Sequence, residues 1–315
     1  MGYVKMALPV PAAAAALATA RLLPDSPLQR PADAPYFSYA AGFLLAASAV
    51  AFLAGLGNRT FREKYEKKAP FYTGVLLFLM ALNLLTVKKA LLPVLYFPSL
   101  DRVFGVLLTD APFIGKCLLY SLRLQLTGWF CGAAAGILTG VAIGFNKYAR
   151  YWIYPLVRVL GPIPSTAWIP LVLVSFPTVV SASAFLIGLA VWFPTTVLTS
   201  SGILSIQNSY FEAAATLGAG RTYTILRIGI PAAMPHMFIG LFNGTTASFI
   251  TLVTAEMLGA KYGIGWYINW QKDMMSYANV YAGLIVMSVT CYCIITLLFK
   301  LRDRLLVWQK GVIKW

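Results

Sequence analysis

Tyr210-Phe211-Glu212-Ala213-Ala214-Ala215-Thr216-Leu217-Gly218, nine further residues, and then Ile228-Gly229-Ile230-Pro231 form the stretch on which the reading of this chain turns. Residues 212–217 are good helix formers with small alanines on one side. Gly218 can take the left-handed backbone that ends a helix, so the segment predicts one short helix stopped there. Small residues also let the surface of another protein approach closely. Pro231 suits the first turn of a helix and opens the return into the next apolar run. The plain alternative is an ordinary amphipathic loop helix lying on a membrane.

The flanking sequence is strongly apolar. Of 315 residues, 59% are apolar and only 11% charged, and the mean hydropathy is +0.75. Soluble domains carry about 25% charged residues, so these values exclude a disordered chain and argue against a water-soluble globule. Apolar runs at 37–57, 71–90, 121–145, 152–177, 182–200, 236–256 and 281–300 read as membrane spans, each close to the ~20 residues a span needs. The fold class is therefore an all-α, polytopic membrane helix bundle. The run at 152–177 is interrupted by Pro155, Pro162, Pro164, Pro170 and Pro177. Such breaks are tolerated only where neighbouring helices or a watery cavity satisfy the freed carbonyls, so this element is expected inside, along a pathway. At the N-terminus, Lys5, the apolar stretch 7–18 and Ala18-Thr19-Ala20 read as a cleavable signal, a short extra span or an interfacial helix, with retention preferred.

Charge placement orients the bundle. The loop 58–70, the region 146–158, the stretch 201–235 and the C-terminal tail hold fifteen basic residues against four acids, Glu63, Glu66, Glu212 and Asp303. The opposite side holds seven basic residues against Asp101, Asp110, Glu256 and Asp273. By the positive-inside rule the first group, with the C-terminus, is cytoplasmic. Lys88 and Lys89 then fall on the outer side and are expected to snorkel or face water. Of the net charge of +15, +11 thus lies along one membrane face against +3 on the other; anionic lipid attracts that face, and a nucleic-acid partner is excluded.

The quoted stretch resembles the coupling motif of ATP-binding-cassette importer membrane subunits. That motif reads Glu-Ala-Ala, three residues, Gly, nine residues, Ile, any residue, an aliphatic, Pro; here it falls on Glu212, Ala213, Ala214, Gly218, Ile228 and Pro231. Gly161-Pro162-Ile163-Pro164-Ser165-Thr166-Ala167-Trp168-Ile169-Pro170-Leu171 is similar to the proline-rich signature of the nitrate/sulfonate/taurine-type permeases. Residues 255–268, beginning Ala255-Glu256-Met257, are similar to that family's segment after the fifth core helix. The resemblance covers residues 71–315 and implies a type I importer core of six helices. Residues 1–70, with the apolar run 37–57, form an N-terminal extension that adds at least one span. It further implies two permease copies around a pathway for a small solute, two separate ATPase subunits beneath, and an extracytoplasmic substrate-binding protein. Glu212–Gly218 would seat in the ATPase, whose closure rocks the bundle between inward-open and outward-open states. The expected substrate, a nitrate-, sulfonate- or taurine-like anion, comes from the resemblance alone.

No G-x-x-x-x-G-K-[ST] occurs, so ATP hydrolysis and catalytic residues are expected on another chain, and no cofactor is expected. Gly132, Gly136, Gly140 and Gly144 make a gently winding groove where helix backbones can approach, a seam of the bundle or of the subunit interface. Glu256 is the lone acid in its apolar stretch; a gating role and a structural one near the outer interface both suit it. Trp168 and Pro170, in the broken element, are candidates for the pathway, with packing the plain alternative. His236 is the only histidine and has no partner at ligand spacing, so no metal is expected. Cys117, Cys131, Cys291 and Cys293 read as packing residues. The rival classes are an ion-coupled secondary transporter, which would want several buried ionisable groups, and a polytopic membrane enzyme, which would want an acid–base constellation.

Overall fold

The computed structural model describes residues 2–29 and 33–308, and every regular element among them is helical. Arg30, Lys310 and Lys314, counted in the charge balance, lie outside the described residues. Six helices are long and apolar enough to cross a membrane: Tyr36–Gly57, Arg59–Lys88, Ala111–Phe145, Val179–Leu204, Arg221–Gly259 and Tyr277–Leu305. The pair Lys147–Leu160 and Ser165–Ser175, bent by 89° at the proline break, is together long and apolar enough for a broken span or a re-entrant loop. The chain folds as two compact units. One runs to Ile114 and takes in Trp270–Leu284; the other holds Gly115–Asn269 and the chain from Ile285.

In the first unit, α1 (Gly2–Ala7) and α2 (Pro9–Leu22) precede α3 (Tyr36–Gly57) and α4 (Arg59–Asn83). Asn58 alone separates the last two; its side chain accepts from Thr60 N and Phe61 N at 3.0 and 3.2 Å and caps α4. The expected loop 58–70 is therefore not a loop. Its basic residues ride on the opening turns of α4, because an Asn cap followed by Arg, Glu and Lys favours helix. Helix α2 lies against both α3 and α4, its alanines allowing close approach: Ala12 and Ala13 are buried with Leu76, and Leu45 packs on them. Its 14 residues rise about 21 Å, short of a ~30 Å hydrocarbon core.

Helix α4 runs on through one wider π turn, Leu84–Lys88. There Lys88 departs from expectation. Only 6% of its side chain is exposed, and its ammonium donates to Ala20 O at 2.8 Å, Leu23 O at 2.7 Å and Asp25 Oδ1 at 2.6 Å. It caps the C-terminal end of α2 instead of snorkelling, the place where a helix's unpaired carbonyls favour a cation. Ser99 caps α5 (Leu100–Thr109), an element hidden in what reads as a loop, by accepting from Arg102 N.

The second unit is built around α9 (Val179–Leu204). Helix α6 (Ala111–Phe145), which begins ten residues before the apolar run at 121, packs on one side of it; α12 (Ile230–Gly259) packs on another. Contacts advance together along α6 and α9, from Gly132 on Gly188 to Gly144 on Ile203, so the two run in the same direction. Gly240 meets Thr195 while Gly244 meets Val191, so α12 runs the opposite way. Between α6 and α9 come α7 (Lys147–Leu160), a 3₁₀ turn (Ser165–Trp168) and α8 (Ile169–Ser175). The stretch 201–235 is mostly helical: the end of α9, α10 (Asn208–Thr216), α11 (Arg221–Tyr223) and a π turn (Thr224–Gly229) leading directly into α12. Helices α13 (Ile264–Asp273) and α14 (Tyr277–Leu305) complete the described chain.

Candidate functional site

Helix α10 ends as its sequence predicts. Gly218 has φ +75°, Ala219 N donates to Ala214 O at 2.9 Å and Gly218 N to Ala215 O at 3.0 Å. That pair of reverse bonds closes the helix end and leaves the chain free to turn. Glu212, Ala213 and Ala215 are exposed while Ala214 is buried, so α10 rests on one alanine and presents the others. Nothing lies within 4 Å of where a Cβ on Gly218 would stand, and Leu217 beside it is 88% exposed. The tip is open on its outer side.

What holds α10 is less legible in sequence. Phe145, the last residue of α6, meets Phe211 of α10 edge-to-face at 6.2 Å between ring centroids. The same ring fills the space beside Gly229 where a Cβ would stand. Ile228 and Pro231 are half-buried on either side of Gly229. Pro231 sits in the first turn of α12, just past the π turn in which Ile230 N donates to Ile225 O. A wider turn absorbs the bond that proline cannot make. Arg150 braces the end of α6, donating to Ile143 O at 3.1 Å and Gly144 O at 2.8 Å.

The glycine groove of α6 faces α9. A Cβ on Gly136 would stand 2.7 Å from Thr195 Cβ, and one on Gly140 would stand 2.5 Å from Thr199 Cβ. Gly132 lies backbone to backbone on Gly188, Gly144 on Ile203, and Gly128, one step earlier in the same series, on Ile187. Polar pairs pin the neighbouring faces. Thr139 and Thr196 hydroxyls are 2.7 Å apart, Trp192 Nε1 donates to Thr139 Oγ1, Gln125 Nε2 donates to Ser248 Oγ at 2.6 Å and Trp129 Nε1 to Thr245 Oγ1 at 2.8 Å. Away from water, such bonds fix helix register.

The proline-broken element forms an elbow. Pro170 opens α8 and is exposed, whereas Trp168 packs against a small apolar cluster of Ile169, Val172, Ala182 and Leu186. The residues that do line space at the elbow are others. A cavity of about 300 Å³ is bounded by Ser165 and Thr166 from the turn, Phe193 from α9, and Asn243, Ala247 and Thr251 from α12. Ser165 and Thr251 hydroxyls lie 2.6 Å apart. No charged side chain lines it.

Glu256 is fully buried. Its Oε1 accepts from Ser121 Oγ at 2.6 Å and its Oε2 from Gly265 N at 2.8 Å, while Ser121 Oγ accepts from Ile264 N at 2.8 Å. Gly263, at φ +136°, passes directly over the carboxyl. The group ties α6, the end of α12 and the start of α13 together. His236 packs its Cβ beside Gly202, and among the described residues no cluster of His, Cys, Asp or Glu could hold a metal. The four cysteines are unpaired thiols; Cys117 is buried, Cys131 and Cys293 exposed on apolar helices.

Comparison with known proteins bears on this geometry. Residues 132–307, more than half of the chain, match the family of binding-protein-dependent transport system inner membrane components. The chain belongs to that family. This permease is 28% identical over 225 residues to the taurine transport system permease protein TauC of Escherichia coli strain K12, covering 69% of this chain and 82% of the relative. It is 29% identical over 203 residues to the nitrate import permease protein NrtB of Synechococcus elongatus, covering 62% and 68%. Against the putative aliphatic sulfonates transport permease protein SsuC of Bacillus subtilis it is 28% identical over 208 residues, covering 66% and 75%. An inward-facing structure of the MetNI methionine ABC transporter superposes with a TM-score of 0.52 at 17% identity, covering 62% of this chain and 97% of that one; this likeness concerns the fold. The permease is thus a multi-pass membrane subunit of an ABC importer. It works with an ATPase and a substrate-binding protein and is not itself an enzyme.

Proposed function

We propose that the permease lines the path of a small oxyanion-bearing solute and is driven through α10. The observation that carries this is the exposed Glu212, Ala213 and Ala215 on a helix closed at Gly218 and set on Phe145. A partner's groove gripping that face would pull on the α6 end through Phe145 and on α12 through the π turn. Two copies of the permease enclose the path and two ATPase subunits engage their α10 helices. The basic opening of α4, the α6–α7 junction, α10 and the C-terminus lie on the cytoplasmic side. The helices before about residue 70 are an addition to the importer core. The family match beginning at residue 132 and the full-length neighbour covering only 62% of this chain support that division.

The relatives named for taurine, nitrate and aliphatic sulfonates support an anion of that kind. The elbow cavity suits one: hydroxyls and an amide hydrogen-bond an oxyanion, whereas a fixed cation would hold it too well to release it. Glu256, embedded in its own bonds, acts as a brace.

The test is uptake in vesicles holding the permease, its ATPase and its binding protein. Gly218→Pro and Glu212→Arg should insert normally yet lose ATP-dependent uptake or the bound ATPase. Full uptake in both variants would refute the coupling role.

A further inference from the structure

Helices α3 and α4 of the first unit bound an apolar groove of about 320 Å³ that the transport reading leaves unused. Leu44, Ala47 and Ala51 line it from α3, and Tyr65, Tyr72 and Val75 from α4. Small residues on one helix opposite rings on the other leave the gap between them. No charged side chain lines it, and its one serine, Ser48, donates to Leu45 O at 2.9 Å. Leu44, Tyr72 and Val75 are 38%, 40% and 41% exposed, so the groove is open along its side.

The groove has a basic end and an aliphatic end. Lys64 and Lys68 stand one turn apart on α4, and Lys68 comes three residues after Tyr65 and four before Tyr72, on the same face. Both lysines are exposed, and neither forms an ion pair among the described residues. Glu63 is taken by Arg59 at 3.3 Å, and Glu66, two residues from each lysine, is turned about 200° from both. Phe61 stacks on Tyr65 at 5.9 Å and Tyr65 meets Tyr72 at 6.1 Å, a wall of rings suited to the head-group level. From Tyr65 to Leu76, the last lining residue, α4 rises about 16 Å. That is close to one leaflet of a ~30 Å hydrocarbon core.

We propose that this groove holds an anionic phospholipid, its phosphate on Lys64 and Lys68 and one acyl chain lying along the groove to Leu44, Val75 and Leu76. An acyl chain suits a bed with no unpaired polar group, and a phosphate supplies the counter-charge that the two lysines lack. A neutral lipid would gain the groove without the lysines, and a soluble oxyanion the lysines without the groove. A second copy of the chain, meeting this face with its own, would set lysine against lysine. Every residue of the site precedes the family-matched segment 132–307, so the lipid anchors the α3–α4 pair and lies outside the solute path.

The experiment is native mass spectrometry of the purified full-length permease, delipidated in detergent and titrated with dioleoylphosphatidylglycerol, dioleoylphosphatidylcholine or glycerol phosphate. Phosphatidylglycerol should bind at least about tenfold more tightly than phosphatidylcholine, and glycerol phosphate should not bind. Lys64→Gln combined with Lys68→Gln should erase that preference and leave phosphatidylcholine binding unchanged. Ala47→Phe, whose ring fills the groove from an exposed position, should weaken both lipids about tenfold. The lysines are exposed, so their variant reports even where Ala47→Phe fails to purify. Equal binding of the two lipids, binding of glycerol phosphate, or a preference undiminished in the lysine variant would each overturn the proposal. So would a dimer that forms without lipid and is lost in Ala47→Phe, which would give the groove to a second copy.

Discussion

Phe145 occupies the space beside Gly229 that a side chain there would need, so the end of α6 and the start of α12 are joined through a missing Cβ. The same ring touches Phe211, so three helices meet on one phenyl group. Gly229→Val would push Phe145 off both neighbours. The expected result is an inserted permease whose ATP-dependent uptake falls at least about tenfold, while Phe145→Leu, which still fills part of the space, gives an intermediate loss. Uptake assays against surface expression check this; wild-type uptake in Gly229→Val would show the junction to be mechanically idle.

The α6–α9 seam predicts a contrast between glycines. Gly132→Val places a side chain against the Gly188 backbone and should abolish recovery of folded protein. Gly115→Ala, on the same helix with nothing within 4 Å of the new methyl, should stabilise by about 0.5–1 kcal/mol, the preference of a helix for alanine over glycine. Fluorescence-detected size exclusion in detergent distinguishes the two.

For Glu256 the sign depends on what replaces it. Glu256→Ala strands the Ser121 hydroxyl and Gly265 N–H and opens a void, at a cost of about 3 kcal/mol. Glu256→Gln keeps the shape but sets one amide N–H against a donor, costing about 1–2 kcal/mol. Uptake per folded Glu256→Gln molecule should match wild type. An altered basal ATPase rate at unchanged melting temperature would instead make this carboxylate part of the gate.

Asp101 predicts a pH dependence. Its carboxyl titrates above the ordinary range because burial disfavours the charge. Its stabilising contribution is therefore complete below the unfolded-state value, near 3.8, and declines as pH rises through the raised one. Asp101→Asn, which keeps an oxygen for Phe37 N, should remove that decline, so the wild-type-minus-variant melting difference should shift against wild type as pH rises from acid to neutral. A difference that moves the other way would contradict the burial argument.

Much of this molecule is visible in its sequence, for reasons that differ by element. Spans such as 37–57 and 281–300 declare themselves because lipid demands long apolar runs, and Gly218 because few residues tolerate its backbone. The opening turns of α4 and all of α5 stay hidden, since charged or short amphipathic helices look like loops until a cap such as Asn58 or Ser99 is recognised. The glycines of α6 announce close packing, yet only the structure shows that α9 is their partner. Phe145 and the elbow residues Ser165, Asn243 and Thr251 carry no signal of their own, because their roles arise from residues far apart in the chain. Trp168, conspicuous in sequence, is occupied with packing.

Lys88 ties the end of α2 to the π turn that closes α4. Two of its three acceptors, Ala20 O and Leu23 O, belong to the end of a segment whose small residues imitate a peptidase site. Cutting after Ala20 would take Ala20 O and most of α2 from this contact and leave Lys88 with Leu23 O and Asp25 Oδ1. A chain beginning at residue 21 would keep the ion pair of Lys88 with Asp25 and lose the packing of Ala12 and Ala13 on Leu76.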